Sequence, residues 1–290
     1  MKEVIVISGK GGTGKTSVTA ALASLWQPLV IADCDVDAPD LHLLLSPEVK
    51  RTEEFYSGVE PEIDNNLCTR CGVCRTHCAF DALDEQCRID RAACEGCGVC
   101  TLVCPEKAVT LHERHCGQWF ESETRFGPMI HALLGTGEEN SGKLVTYIKQ
   151  AARKKATEFN YGFLLSDGSP GTGCPVISSL SGASLAVIVT EPTLSAMHDL
   201  KRVLGTAKHF NIPAGIIINK YDINEEIAGD IEKDAEKNDT PVFGRIEYNT
   251  EFVSAMVQGK CITEWTARGA LNASIRQIAG AVMNYLNGFK

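Results

Sequence analysis

The chain has 290 residues, 44% of them hydrophobic and 22% charged, the balance of a soluble globular protein of one or two domains with little room for disorder. Its formal net charge of -9 offers no basic stripe for a phosphate backbone, so neither nucleic acid nor stable membrane association is expected. No run approaches the roughly 18 apolar residues of a spanning helix, which points to the reducing cytoplasm. Thirteen cysteines in that setting argue for metal or redox chemistry in preference to disulfides.

In chain order, Val4 to Ser8 predicts a short buried strand, followed by glycines and a helix from Ser17 to Trp26. Between them Gly9 to Thr16 reads GKGGTGKT, which satisfies the pattern GxxxxGK(S/T) in the strand-to-helix setting that the motif requires. Glycines let the backbone wrap around phosphates with successive N–H groups turned inward, and the helix N-terminus adds its positive end. Gly9, Lys10, Gly11, Gly12, Thr13, Gly14, Lys15, Thr16 and Ser17 are therefore the expected nucleotide cradle. Lys15 is expected to reach the β- and γ-phosphates and Thr16 to ligate magnesium through its hydroxyl.

A second strand, Leu29 to Ala32, leads into DCDVDAPD, Asp33 to Asp40. Its alternating aspartates match the start of an EF-hand, but Ala38 stands where the tight glycine is needed and Leu44 takes the place of the twelfth-position glutamate. A calcium loop is thereby excluded.

Two runs of four cysteines come next: Cys68, Cys71, Cys74 and Cys78, then Cys94, Cys97, Cys100 and Cys104, the last followed by Pro105. The second run repeats the first 26 residues on, down to a shared CGVC, so 61–110 reads as an internal duplication inserted as a unit. Zinc is the competing reading, although zinc cysteines usually come as two well-separated CxxC pairs. The segment resembles the bacterial two-cluster ferredoxins, in which the fourth cysteine of each run crosses to the other cluster. That resemblance implies one [4Fe-4S] cluster on Cys68, Cys71, Cys74 and Cys104, and a second on Cys94, Cys97, Cys100 and Cys78. Ala79 departs from the pattern, standing where the first run would usually carry proline.

From 111 to 160 the signals weaken. His112, His115 and Cys116 have loosely metal-like spacing with no second pair, and a structural role is expected. Gly137 to Leu144, GEENSGKL, nearly repeats the phosphate-loop pattern but lacks the hydroxyl residue and a preceding strand, so it reads as a loop before a helix from Lys143 to Thr157. Strands at Tyr161 to Leu165, Leu185 to Val189 and Ala214 to Ile218 then complete a largely parallel sheet, whose carboxyl ends gather the motifs. Asp167, in SDGSPGTG, is the expected acidic residue near the metal. Ile275, Ile278, Ala279, Val282 and Leu286 have helical spacing, and with Arg276 and Lys290 as the stretch's only cations this helix reads as core packing.

Lys10 is more than the pattern asks for. GKGGTGKT is similar to the deviant Walker A of the MinD, Mrp, ParA and nitrogenase iron protein group, and the resemblance implies that Lys10 crosses a face-to-face homodimer to touch the other copy's nucleotide. It also makes Asp33 to Asp40 the switch I loop, with Asp33 beside the magnesium held by Thr16 and Asp167, and Asp35 orienting the attacking water. Lys10, Lys15 and Asp35 are thus the implied catalytic residues.

The order of phosphate loop, DCDVDAP, paired ferredoxin motifs, DGSPGTGCP, TEPT and INK resembles the Mrp/MinD-type ATPases that carry an inserted two-cluster ferredoxin module. It implies an α/β P-loop NTPase, a largely parallel sheet flanked by helices, in two parts, 1–60 and 111–290, around a small bacterial-ferredoxin-like α+β domain at 61–110. Asn219 matches the family's base-contacting asparagine, and Pro241 to Gly259 resembles its last strand and following loop. NKYD, Asn219 to Asp222, also fits the NKxD pattern by which GTPases hold guanine, whereas Lys10 favours ATP. Cys174 stands seven residues after Asp167, the offset at which the nitrogenase iron protein places a subunit-bridging cluster cysteine. A thiol near the dimer face is expected there, against a competing reading as a small buried residue ahead of Pro175. The implied activity is ATP hydrolysis with Mg2+ and two [4Fe-4S] clusters, gating electron transfer to an unknown redox partner. The alternatives are a cluster carrier serving an iron-sulfur acceptor protein, and a MinD-like regulator with a redox sensor.

Overall fold

Side chains along a strand alternate between the two faces of its sheet, and in β1 (Lys2–Ser8) both faces are buried. Val4 and Val6 enter one apolar core while Ile5 and Ile7 enter another. Each such side chain removed from water contributes about 1.5–3 kcal/mol, so this short strand is fixed in register from both sides.

A computed structural model describes residues 1–135, 137–138, 140–266 and 268–288. After β1 come α1 (Lys15–Leu25), β2 (Val30–Asp33), α2 (Leu41–Leu45), β3 (Glu48–Ile63), α3 (Val73–Thr76), α4 (Val99–Val103), β4 (Val109–Thr124), β5 (Gly127–Leu134), α5 (Ser141–Glu158), β6 (Phe163–Pro170), α6 (Cys174–Leu180), β7 (Leu185–Thr190) and α7 (Leu194–His209). They are followed by β8 (Ala214–Asn219), a 3-10 turn (Tyr221–Ile223), α8 (Glu225–Lys237), β9 (Val242–Ile246), α9 (Glu251–Val257), α10 (Ile262–Trp265) and α11 (Ala270–Gly288).

The chain divides into two compact units, one of Met1–Thr52, Trp119–Leu133 and Ser141–Lys290, the other of Glu53–Gln118 with Leu134–Asn140. In the first, the strand order is β5-β2-β6-β1-β7-β8-β9. The pairs β1 with β6 and β7, β2 with β5 and β6, β7 with β8, and β8 with β9 are all parallel. Val18 and Leu22 of α1 and Ile275, Ile278, Val282 and Leu286 of α11 fill the core on one face. Val176 and Leu180 of α6, Leu200 and Val203 of α7, and Ala228 and Ile231 of α8 fill the core on the other. The chain is therefore an α/β P-loop NTPase fold, a mostly parallel sheet flanked by helices.

Residues 61–110 lie within the second unit. It holds a small core in which Cys74, Leu83 and Cys87 pack with Ile63, Ile89 and Val103. Its two short helices start alike: Gly72 before α3 and Gly98 before α4 are left-handed, with φ 76° and 74°, a conformation that glycine takes without a Cβ penalty. The repeated CGVC thus encodes the same turn twice.

Several elements differ from expectation. β6 runs on to Pro170 and carries Asp167 inside the strand. β3, β4 and β5 occupy stretches for which no strand was expected. α9 forms where the family pattern implied a loop. Of the look-alike segment 137–144, Glu139 lies outside the described residues, as does Lys290, while Ser141 to Leu144 open α5. Among the described residues, no helix is long and apolar enough to cross a membrane.

Candidate functional site

The loop from Gly9 to Gly14 joins β1 to α1, with Gly12 and Gly14 left-handed at φ 78° and 90°. Three side chains fix it. Ser8 Oγ donates to Lys10 O at 2.8 Å, Asn219 Nδ2 to Thr13 O at 2.7 Å, and Lys220 Nζ to Gly12 O at 2.9 Å. Any side chain at Gly14 would strike Asn219. Asn219, expected at a nucleotide base, here braces the phosphate loop from the end of β8. The cleft beyond the loop, about 470 Å3, is lined by Gly11 to Ser17, Asp35, Asp37 and Asp40, within the size range of small-molecule sites.

At the bottom of this cleft three carboxylates meet one ammonium. Asp33 and Asp167 are register partners across β2 and β6. Lys15 Nζ lies 3.0 Å from Asp167 Oδ2 and 3.3 Å from Asp35 Oδ2. Thr16 Oγ1 donates to Asp167 Oδ2 at 2.7 Å, and Thr19 Oγ1 to Asp167 Oδ1 at 2.8 Å. Burial alone would push the Lys15 ammonium down, but Asp167, Asp35 and Asp33 together hold it above its ordinary value. Burial, with Asp167 adding to it, pushes Asp33 well above the usual carboxylate range. Burial raises Asp35 too, and Lys15 only partly opposes it.

Asp33 Oδ1 accepts from Asp35 N at 3.1 Å, while its Oδ2 is buried without a partner. An orphaned carboxylate oxygen beside the Thr16 hydroxyl and Asp167 is a hard-oxygen donor set that suits magnesium. The residues present therefore fit that ion.

Lys10 takes other partners. Its Nζ is 2.8 Å from Glu191 Oε1 and donates to Thr193 Oγ1 at 3.2 Å and Ser195 Oγ at 3.1 Å. Glu191 also pairs with Lys220 at 3.0 Å. Burial would raise the Glu191 carboxyl, but Lys10 and Lys220 hold it below its ordinary value. Glu191, Thr193 and Ser195 were not among the expected site residues. Their signal in the sequence was the TEPT turn at the end of a buried strand, a position where ligands of parallel sheets gather.

In the second unit, one cavity is lined by Cys68, Cys71, Cys74, Cys87 and Cys104, and another by Cys74, Cys78, Cys94, Cys97 and Cys100. Cys78 Sγ accepts from Ala82 N at 3.4 Å, and Cys104 Sγ from Ala108 N at 3.3 Å, the same contact in both halves of the repeat. Among the described residues, no three of His, Cys, Asp and Glu converge as one metal ion would require. At least four cysteines of the repeat line each cavity, the number of sulfur ligands that one cubane takes.

His112 pairs with Glu62 and His115 with Glu54, while the buried Cys116 thiol donates to Ser57 O at 3.2 Å. These three carry ordinary strand contacts. Cys174, the first residue of α6, is exposed.

The CobQ/CobB/MinD/ParA nucleotide binding domain family matches residues 4–262. A Methanocaldococcus jannaschii protein of uncharacterized function is 38% identical over 225 residues, 77% of this chain and 79% of that one. MinD of Pyrococcus horikoshii, solved with Mg-ADP, superimposes with a TM-score of 0.57 at 18% identity, covering 97% of this chain and 95% of its own. The MinC:MinD cell division complex of Aquifex aeolicus gives 0.58 at 18% identity, covering 98% and 96%. With the phosphate loop, its lysine and its acidic partners in one cleft and the family match spanning both ends of the sheet, this chain belongs to the CobQ/CobB/MinD/ParA family of P-loop ATPases.

Proposed function

We propose that the protein is a dimeric, ATP-hydrolysing iron-sulfur protein whose nucleotide cycle gates electron transfer through two [4Fe-4S] clusters. The observation that carries this reading is the sorting of the duplicated cysteines into two cavities. Cys68, Cys71, Cys74 and Cys104 line one, Cys78, Cys94, Cys97 and Cys100 line the other, and Cys74 alone of the eight borders both. The clusters would supply low-potential electrons, and the backbone N–H groups of Ala82 and Ala108 would reach the sulfurs of Cys78 and Cys104.

In the nucleotide cleft, Lys15 exchanges its carboxylate partners for the β- and γ-phosphates, keeping its charge paired throughout. That exchange frees Asp35 to accept a hydrogen bond from the attacking water, and Thr16 with Asp33 and Asp167 would hold magnesium. The Mg-ADP bound to Pyrococcus horikoshii MinD supports a magnesium nucleotide as the occupant. The switch loop leads through α2 directly into β3, and β3 enters the second unit at Glu53. A change at Asp35 is therefore joined by continuous chain to the cysteine-bearing module.

Cluster delivery is the second reading, and the exposure of Cys71 and Cys97 favours it. The deciding experiment is anaerobic reconstitution followed by ATPase assays on oxidised and reduced protein. About eight irons per chain and a rate that depends on redox state are expected. Two zincs per chain with no visible absorption would overturn the iron-sulfur assignment, and equal rates would overturn coupling. Iron passing to an apo-ferredoxin only during ATP turnover would favour delivery.

A further inference from the structure

We propose that Cys87 is a spare sulfur ligand for the cluster bounded by Cys68, Cys71, Cys74 and Cys104, an inference that rests on the iron-sulfur reading of the second unit. The two cavities together are lined by nine cysteines, one more than two four-ligand clusters use. The duplication accounts for eight of them. Cys87 has no counterpart in it: 26 residues away lie Pro61 in one direction and Glu113 in the other.

Position gives this extra thiol its role. Cys87 is 7% exposed, lines only the first cavity and packs in one small core with Cys74 and Cys68. Its backbone is left-handed, φ 58°, a region that a residue with a Cβ adopts only where its surroundings hold it. Asp84 holds the turn there. Its Oδ1 accepts from Gln86 N at 2.9 Å and Arg88 N at 2.8 Å, its Oδ2 pairs with Arg88 Nε at 2.7 Å, and its carbonyl accepts from Cys87 N at 3.1 Å. The thiol is thus presented to the cavity by a braced loop.

The exchange it allows is a proton-for-iron substitution without electron transfer. The Cys87 thiol gives up one proton on bonding to iron, and the cysteine it replaces takes up one as its iron–sulfur bond breaks. Cys71 is the exposed member of the set and so the one whose sulfur solvent protons reach. With Cys87 behind it, the cluster loses Cys71 without losing its fourth sulfur.

The test is iron and sulfide content, with the spectrum of the reduced state, on anaerobically reconstituted full-length protein. Cys71→Ser and Cys104→Ser are each compared with and without Cys87→Ser. Both single variants are expected to keep about eight irons, and both double variants about four. Cys97→Ser serves as the control for a general packing role, because Cys87 does not line the second cavity. Its iron content should be the same with and without Cys87→Ser. Unmodified protein holding eight irons while Cys71→Ser and Cys104→Ser both fall to four overturns the spare ligand alone. A dependence on Cys87 that is equal in the Cys97→Ser background also overturns it. Unmodified protein that takes up no iron overturns the iron-sulfur reading with it.

Discussion

Asp33 is the residue at which stability and function pull apart. Its carboxyl is buried, one oxygen has no partner, and its proton affinity is well above that of an ordinary aspartate because of burial and Asp167. A raised carboxyl pKa means that folding holds a proton the unfolded chain releases, so the residue weakens the nucleotide-free protein increasingly as pH rises above about 3.9. Asp33→Asn is therefore expected to raise the melting temperature at pH 7, with a gain that shrinks toward pH 4, while weakening magnesium-dependent nucleotide binding. A lower melting temperature at pH 7 would contradict this. Lys15→Ala should act oppositely, because it leaves the buried Asp167 carboxylate, and Asp35 beside it, without their cation, a loss of about 3–5 kcal/mol for a buried pair. It should also abolish nucleotide binding by calorimetry. Lys15 and Thr16 were legible in the sequence because the phosphate loop needs its residue types at fixed spacing, and Asp167 because SDGSPGTG follows a buried strand. The partner of Lys10 was not: Glu191 is far along the chain, and the two meet through the parallel pairing of β1 with β7.

At the scale of elements, legibility followed burial. β1, β7 and β8 are covered on both faces and read as continuous apolar runs. β3 and β4 read EVKRTEEFYSGVEPEI and VTLHERHCGQWFESET, and much of each is exposed. Their charged residues hide the two-residue alternation that marks a half-buried strand. β5 is mostly buried and was still missed, as a short apolar run in a stretch whose neighbours gave no sheet signal. It carries His131, which is stacked on Phe120 with centroids 5.0 Å apart and whose Nε2 shares a hydrogen bond with Ser122 Oγ at 2.8 Å. Burial, and secondarily His42, push the His131 imidazole down to about 4. A depressed histidine stays neutral in the folded state, so stability is full above the unfolded value near 6.5 and falls as pH drops toward 4. The loss is about 3 kcal/mol from this residue when complete. Urea titrations at pH 7 and pH 4 should show a smaller acid loss in His131→Gln than in the parent. Equal losses would remove His131 as the cause.

For the whole molecule the question is whether Lys10 works on its own nucleotide or on that of a second copy. Within one chain it is tied to Glu191, Thr193 and Ser195, contacts that belong to the free state and must break before it reaches any phosphate. The trans arrangement implied by the deviant Walker A resemblance would put it across a twofold interface, each site taking Lys15 and Asp35 from one chain and Lys10 from the other. A variant mixture separates the two arrangements. Lys10→Ala and Asp35→Asn should each bind ATP and each be inactive alone. In a mixed dimer acting in trans, the Lys10→Ala chain keeps its own Asp35 and receives Lys10 from its Asp35→Asn partner, so one of the two sites is complete. Random pairing of equal amounts makes half the dimers mixed, and the activity recovered should be about a quarter of the unmodified rate. If Lys10 acts within its own chain, no mixed site holds both residues and the mixture stays inactive. Recovery that rises with protein concentration ties hydrolysis to dimer formation, and a null result at concentrations where the dimer is full assigns Lys10 to its own nucleotide.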